Sequence, residues 1–199
     1  MYQKLLPLYS PRKGSVTEGT GILGVHVEGP FISMDRCGFH DKEYVQSSIH
    51  GPDSLLACYG SLDNIRLVTL APELEGAQEA IQYLHSRGIV VGIGHTASHM
   101  DDAVRGITSG ATLITHIFNA MSPFHHRDPG VIGTLGIPDA DAPYFSIIAD
   151  DVQLHPFAVR VVQKAHGDKC VLISDGCVVT GLPDGDYTFE EHDVHVRDR

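Results

Sequence analysis

"IRLVTLAPELEGAQEAIQYLHSRGIVVGIGH", residues 65–95, decides the fold. Two short apolar runs, 65–72 and 89–95, flank a segment of different period. Each run is rich in Ile, Val and Leu with little polar alternation, as in strands buried on both faces. Pro72 stops the first run, because it has no N–H for a ladder. Between the runs, Ala77, Ile81 and Leu84 follow a helical spacing over 75–88. Gly88 supplies the residue that closes such a helix in a left-handed turn. Strand, helix, strand makes a βαβ unit, which pairs its strands in parallel through a right-handed crossover.

The same alternation continues outward. "GILGVHV" (21–27) reads as a strand leaving through "EGPF". Residues 97–110 read as a helix with Ser98 as N-cap and Gly110 beyond its end. Strands follow at 111–116, 142–150 and 169–175, with a helix from about Pro156 to His166. "YTFEEHDVHVRD" (187–198) alternates and turns as a β-hairpin does. Doubly wound sheets and (β/α)8 barrels both satisfy this α/β pattern. Glu28, His95, His116, Asp150 and Asp175 stand at or just past strand C-termini. A barrel brings those ends together on one face, whereas an open sheet spreads them along an edge. The reading is therefore an incomplete TIM-type (β/α)8 barrel of about six strands. It assigns 1–182 to the barrel and 183–199 to a hairpin leading out of it.

Composition narrows the partners. The chain has 199 residues, a formal charge of −11 and 42% hydrophobic residues. That charge repels polyanions, so no nucleic acid is expected. No tract is long enough to span a bilayer, and no signal segment opens the chain, so no membrane is expected either. Cys37, Cys58, Cys170 and Cys177 form no CxxC pair and read as reduced thiols of a cytoplasmic protein. Thirteen histidines make a metal site worth seeking.

Glu28, His95 and His116 form a donor set that suits Zn, or Fe or Co less selectively. Each histidine alone reads equally as a hydrogen-bonded structural residue. Asp175 ends the apolar run "CVLISD", where a buried carboxylate needs a partner. It reads as a proton acceptor beside an activated water or as a turn aspartate. In "THIFNAMSPFHHRDPG" (115–130), His125 and His126 are adjacent and point opposite ways on an extended chain, so both cannot hold one metal. Arg127 offers a planar fork suited to phosphate, or to a surface ion pair. His99 follows His95 by four residues but reads as a helix-start residue, because His95 ends a strand.

Together, "GVHVEGPFIS…GFH", "VTLAPE", "GIGHTAS", "THIFNAMSPFHHRDPG", "IIAD" and "LISDG" resemble the N-acetylglucosamine-6-phosphate deacetylases of the amidohydrolase superfamily. The likeness runs from about residue 22 to 182. It implies a metal-dependent hydrolase that releases acetate from N-acetyl-D-glucosamine 6-phosphate. It implies Glu28, His95 and His116 as metal ligands and Asp175 as the catalytic acid–base. Phe39 and His40 fall where the family has a substrate-contacting Ala-His pair, with His40 retained, and Asn119 and Ala120 match contacts to the sugar. Arg127 matches the arginine that reaches the phosphate, typically from the neighbouring subunit of a homodimer. The resemblance further implies that these six strands are the third to eighth of the barrel, with the first two absent and an unclosed sheet of low stability.

The chain departs from the family pattern at two points inside the match. "ADDVQLHP" stands where the family has "ADGxHxxP", so Gln153 occupies the place of a substrate-binding histidine and His155 lies two residues on. "SDG" at 174–176 replaces "SDA" or "TDA". Two rivals follow: a non-catalytic remnant that binds metal or sugar phosphate, and an amidohydrolase for another N-acyl substrate.

Overall fold

The computed structural model describes residues 1–189 and 192–197. A short helix α1 (Tyr2–Leu5) precedes β1 (Val25–Glu28), α2 (Gly51–Tyr59) and β2 (Ile65–Leu70). Then come α3 (Ala77–Ser86), β3 (Val90–Ile93), α4 (Met100–Thr108) and β4 (Leu113–Ile114). β5 (Tyr144–Ile148), α5 (Pro156–His166) and β6 (Cys170–Ile173) follow, and β7 (Gly185–Phe189) pairs antiparallel with β8 (His192–Val196).

The first six strands form one sheet in the order β1-β2-β3-β4-β5-β6, every pair parallel. A doubly wound sheet would reverse its order at a switch point. This one never does. Laid flat, six strands would hold β1 and β6 about 24 Å apart. Yet the Asp175 charge just past β6 bears on His26 in β1 and on His116 past β4. The sheet therefore curls, as an incomplete barrel requires.

Helical packing explains the curl's outer layer. α3 buries Ala77, Ala80, Ile81 and Leu84, the face its spacing predicts, among Val68, Leu70, Val91 and Ile93 in one core. Burying each large aliphatic side chain stabilises the fold by about 1.5–3 kcal/mol. Gly106 lets α4 approach β3, since a Cβ there would lie 2.9 Å from Ile93 Cδ1. α2 has no counterpart in the sequence reading. It buries Leu55 and Tyr59, one turn apart, and the Tyr59 hydroxyl donates to the Gly29 carbonyl at 2.9 Å. That bond pins the loop leaving β1.

Three local readings need correction. The N-cap of α4 is His99, not Ser98; the His99 N–H donates to Asp102 and the Met100 N–H to Asp128 Oδ1 at 3.0 Å. The expected strand 111–116 contracts to Leu113–Ile114, because the backbone leaves ladder geometry before His116, at φ +31°. Asp175 is exposed rather than buried among apolar groups. All four cysteines are free, and no helix among the described residues is long and apolar enough to cross a membrane.

Candidate metal centre

β1 sets the first donor. Side chains alternate across a strand, so His26 and Glu28 share the face opposite buried Val27. β3 and β4 set the other two, since His95 and His116 follow them by two residues. Both take left-handed backbone angles, φ +47° and +31°, and Asp175 takes +47° past β6. Non-glycine residues avoid this region unless their surroundings impose it, and such strain gathers at functional sites. Here the surroundings are specific. The Ser33 N–H donates to the His95 carbonyl at 2.8 Å, and the His116 N–H donates to Ser146 Oγ at 2.7 Å.

The three side chains converge. His116 Nε2 lies 2.9 Å from Glu28 Oε1, His95 Nε2 lies 3.2 Å from the same oxygen, and the two Nε2 atoms are 3.1 Å apart. Tetrahedral bonds of about 2.0–2.1 Å would set such donors about 3.4 Å apart. The set therefore fits a divalent ion with small adjustments. His95 Nδ1 contacts the Arg36 carbonyl at 2.9 Å, so it carries the proton and leaves the Nε2 lone pair facing the centre. Both histidines are buried. Among the described residues this is the one group of three or more such donors placed to hold a metal ion.

The same convergence sets the electrostatics of the metal-free cluster. Burial would raise the Glu28 carboxyl, but its contacts with His116, His40 and His95 together outweigh burial and hold it well below the usual carboxylate range. Burial would lower His116, yet the Glu28 carboxylate, with Asp175, raises it above the ordinary histidine value. His26 moves the other way, lowered by burial despite Glu28 and Asp175. Its Nε2 meets Thr69 Oγ1 at 2.8 Å, which meets Thr115 Oγ1 at 2.8 Å, a polar bridge between β1, β2 and the end of β4.

The other expected residues divide. His40 flanks the centre, with its ring 4.7 Å from His95 and Nε2 3.8 Å from Glu28 Oε2. Its neighbour Phe39 is exposed. Asn119 turns its amide N–H toward Gln153, 3.3 Å from the carbonyl and 3.4 Å from Oε1. The buried Asn119 Oδ1 is left with no partner among the described residues. The Ala120 carbonyl accepts from the Thr96 N–H at 3.1 Å. Arg127 is exposed on the same loop. His125 and His126 do not point opposite ways as expected: the backbone turns between His125 and Asp128, their rings lie 4.2 Å apart, and neither joins the donor cluster. His99 pairs with Asp128, as a helix-start residue can. His155 is the N-cap of α5, its Nδ1 accepting from Phe157 N–H at 3.2 Å.

Sequence reasoning missed Arg36, Glu73, Thr69 and Thr115. "VTLAPE" contained two of them, but nothing local says that the Glu73 carboxylate reaches Thr96 and Ala97. The signal for His26 was present in "HVE", where period two puts it on the Glu28 face.

Fold and site together define the class: an incomplete (β/α)8-type barrel with a candidate metal centre at its strand C-termini. Comparisons with known proteins go further. No family model matches. The chain is 41% identical to N-acetylglucosamine-6-phosphate deacetylase of Danio rerio over 201 residues, covering 99% of this chain and 50% of that protein. Against the Bacillus subtilis enzyme of the same name identity is 40% over 186 residues, covering 91% and 45%. A mutant N-acetyl-D-glucosamine-6-phosphate deacetylase from Mycobacterium smegmatis, solved with N-acetyl-D-glucosamine-6-phosphate, superposes with TM-score 0.79 at 34% identity, covering 88% of this chain and 46% of that one. The Thermotoga maritima structure gives TM-score 0.77 at 30% identity, covering 88% and 46%. The chain is thus of the N-acetylglucosamine-6-phosphate deacetylase type over nearly its whole length, and it spans about half the length of the curated relatives it matches.

Proposed function

We propose that this chain carries the catalytic half of a metal-dependent enzyme that hydrolyses N-acetyl-D-glucosamine 6-phosphate to D-glucosamine 6-phosphate and acetate. The observation that carries this reading is the convergence of Glu28, His95 and His116, with Asp175 at the end of the last parallel strand. The six strands are read as the third to eighth of the barrel, residues 1–182, with 183–199 as a ribbon leaving it. The compartment is read as cytoplasmic.

Glu28, His95 and His116 would hold a divalent metal, Zn in the first instance with Fe or Co as alternatives. Such an ion supplies Lewis acidity to the acetyl carbonyl and acidifies a water. Asp175, exposed past the end of β6, accepts the water's proton and returns it to the leaving nitrogen. The Asn119 side chain and the Ala120 backbone would contact the sugar, as the resemblance implies. Phe39, His40 and Gln153 border the sugar. Arg127 projects from the loop to a phosphate, in a homodimer the neighbour's.

The rival reading, binding without turnover, draws on Gln153. A glutamine can donate a hydrogen bond but cannot carry charge, and His155 is committed to its cap. One experiment separates the two: metal content by elemental analysis, coupled to acetate release from N-acetyl-D-glucosamine 6-phosphate, on this chain and on one completed to its relatives' length. One metal per chain with acetate released by the completed chain supports the enzyme. Metal without acetate in either supports the remnant, and no metal in either chain overturns the enzyme.

A further inference from the structure

"VTLAPE" ends in a glutamate to which neither the resemblance nor the donor cluster gives a task. Glu73 stands three residues past β2, half-buried, beside the turn that follows His95. Both of its oxygens are engaged there. Oε2 accepts from the Thr96 hydroxyl at 2.6 Å, and Oε1 accepts from the Ala97 N–H at 2.7 Å. These are the short distances of charge-assisted bonds. Thr96 is fully buried, and its Oγ1 also accepts from the Ser98 N–H at 3.0 Å.

Thr96 is itself a junction. Its N–H donates to the Ala120 carbonyl at 3.1 Å and its carbonyl accepts from Ser122 N–H at 3.2 Å, so it binds the loop that follows His116. His95 and Ala120 both sit at positive φ, +47° and +49°, on either side of this junction. Unsupported, each would relax toward the ordinary region, and the two strand ends would shift relative to one another.

We propose that Glu73 is a positioning residue of the centre: its carboxylate clamps Thr96 and Ala97 and so holds His95, and through Thr96 the 116–122 loop, in register with Glu28. The proposal rests on reading Glu28, His95 and His116 as a metal site. Groups that orient metal ligands characteristically change affinity by about 10–100-fold when removed. Glu73→Ala removes both acceptors. Glu73→Gln keeps one, and its amide can donate to the Thr96 hydroxyl in place of the lost bond.

The test is Co2+ titration of the chain followed by visible absorption, with Gln78→Ala as control. The Gln78 amide donates to the Pro72 carbonyl on the same turn at 3.0 Å, without touching Thr96 or Ala97 in the bonds that define the clamp. Glu73→Ala is expected to weaken Co2+ binding tenfold or more, with Glu73→Gln within about threefold of wild type and the control unchanged. Equal affinity in Glu73→Ala and wild type overturns the proposal, as does an equal loss in the control. If Glu73→Ala yields no folded chain, Thr96→Val carries the test, and unchanged Co2+ affinity there overturns it. If wild type itself takes up no Co2+, the metal reading fails while the clamp is still decided. Exchange of the Ala97 amide in the metal-free chain should then be at least tenfold faster in Glu73→Ala, and an unchanged rate overturns the clamp.

Discussion

Gly92→Ala adds one methyl group where β3 passes beneath the centre. The β2–β3 register sets Gly92 beside Thr69, and the Thr69 and Thr115 hydroxyls meet over it at 2.8 Å. A Cβ at 92 would lie 2.5 Å from Thr115 Oγ1 and 3.0 Å from Thr69 Oγ1. Neither threonine can yield easily, since both are buried and β-branched side chains are stiff at χ1. Overpacking of this kind costs about 1–3 kcal/mol. Breaking the hydroxyl pair adds about 1 kcal/mol. The sum, about 2–4 kcal/mol, corresponds to a Tm lower by about 4–16 °C for a chain of this size. Thermal unfolding followed by far-UV circular dichroism reads it. In a Thr115→Ala background the nearest atom is gone, so at least half of the penalty should vanish. A Tm loss below about 2 °C, or an equal penalty in both backgrounds, would refute the reasoning. Co2+ affinity should fall alongside stability, because Thr115 precedes His116 and Thr69 is the register partner of Glu28.

Two further predictions concern the site's protons and its substituted residue. In the metal-free chain the raised His116 contributes stability that is full below 6.5 and is lost as pH climbs through its folded value. The lowered Glu28 contributes above 4.5 and is lost as pH falls through its folded value. His26, lowered, withdraws stability as pH falls below 6.5, against the trend of His116 and with that of Glu28. The difference in Tm between wild type and His116→Gln in a chelator isolates the pair. It should be largest between 4.5 and 6.5 and shrink above; a difference flat across that range and beyond it would count against the pairing. Separately, Gln153→His in a chain completed to its relatives' length should raise kcat for acetate release. No gain there would mean that Gln153 is not a deficit.

The legible part of this protein lay in short-range pattern. Ala77, Ile81 and Leu84 announced α3, and Gly88 and Gly110 stood beyond the ends of α3 and α4, where left-handed residues close helices. The polar residues past each apolar run were enough to single out Glu28, His95 and His116 as candidate donors. α2 went unread because it presents only Leu55 and Tyr59 to the core, too few for a periodic signal.

What tertiary structure alone decided is how those residues are held. His116 meets Glu28 across 88 positions of sequence, and His95 is oriented by the Arg36 carbonyl 59 positions away. Glu73 reaches across 23 positions to Thr96. His155 was free to complete a site in the sequence and is bound to a helix end in the fold. The reason is physical. Periodicity and turn chemistry act within a few residues and can be read along the chain. A hydrogen-bond partner brought by another strand depends on curl and register, which arise only when the whole sheet has formed.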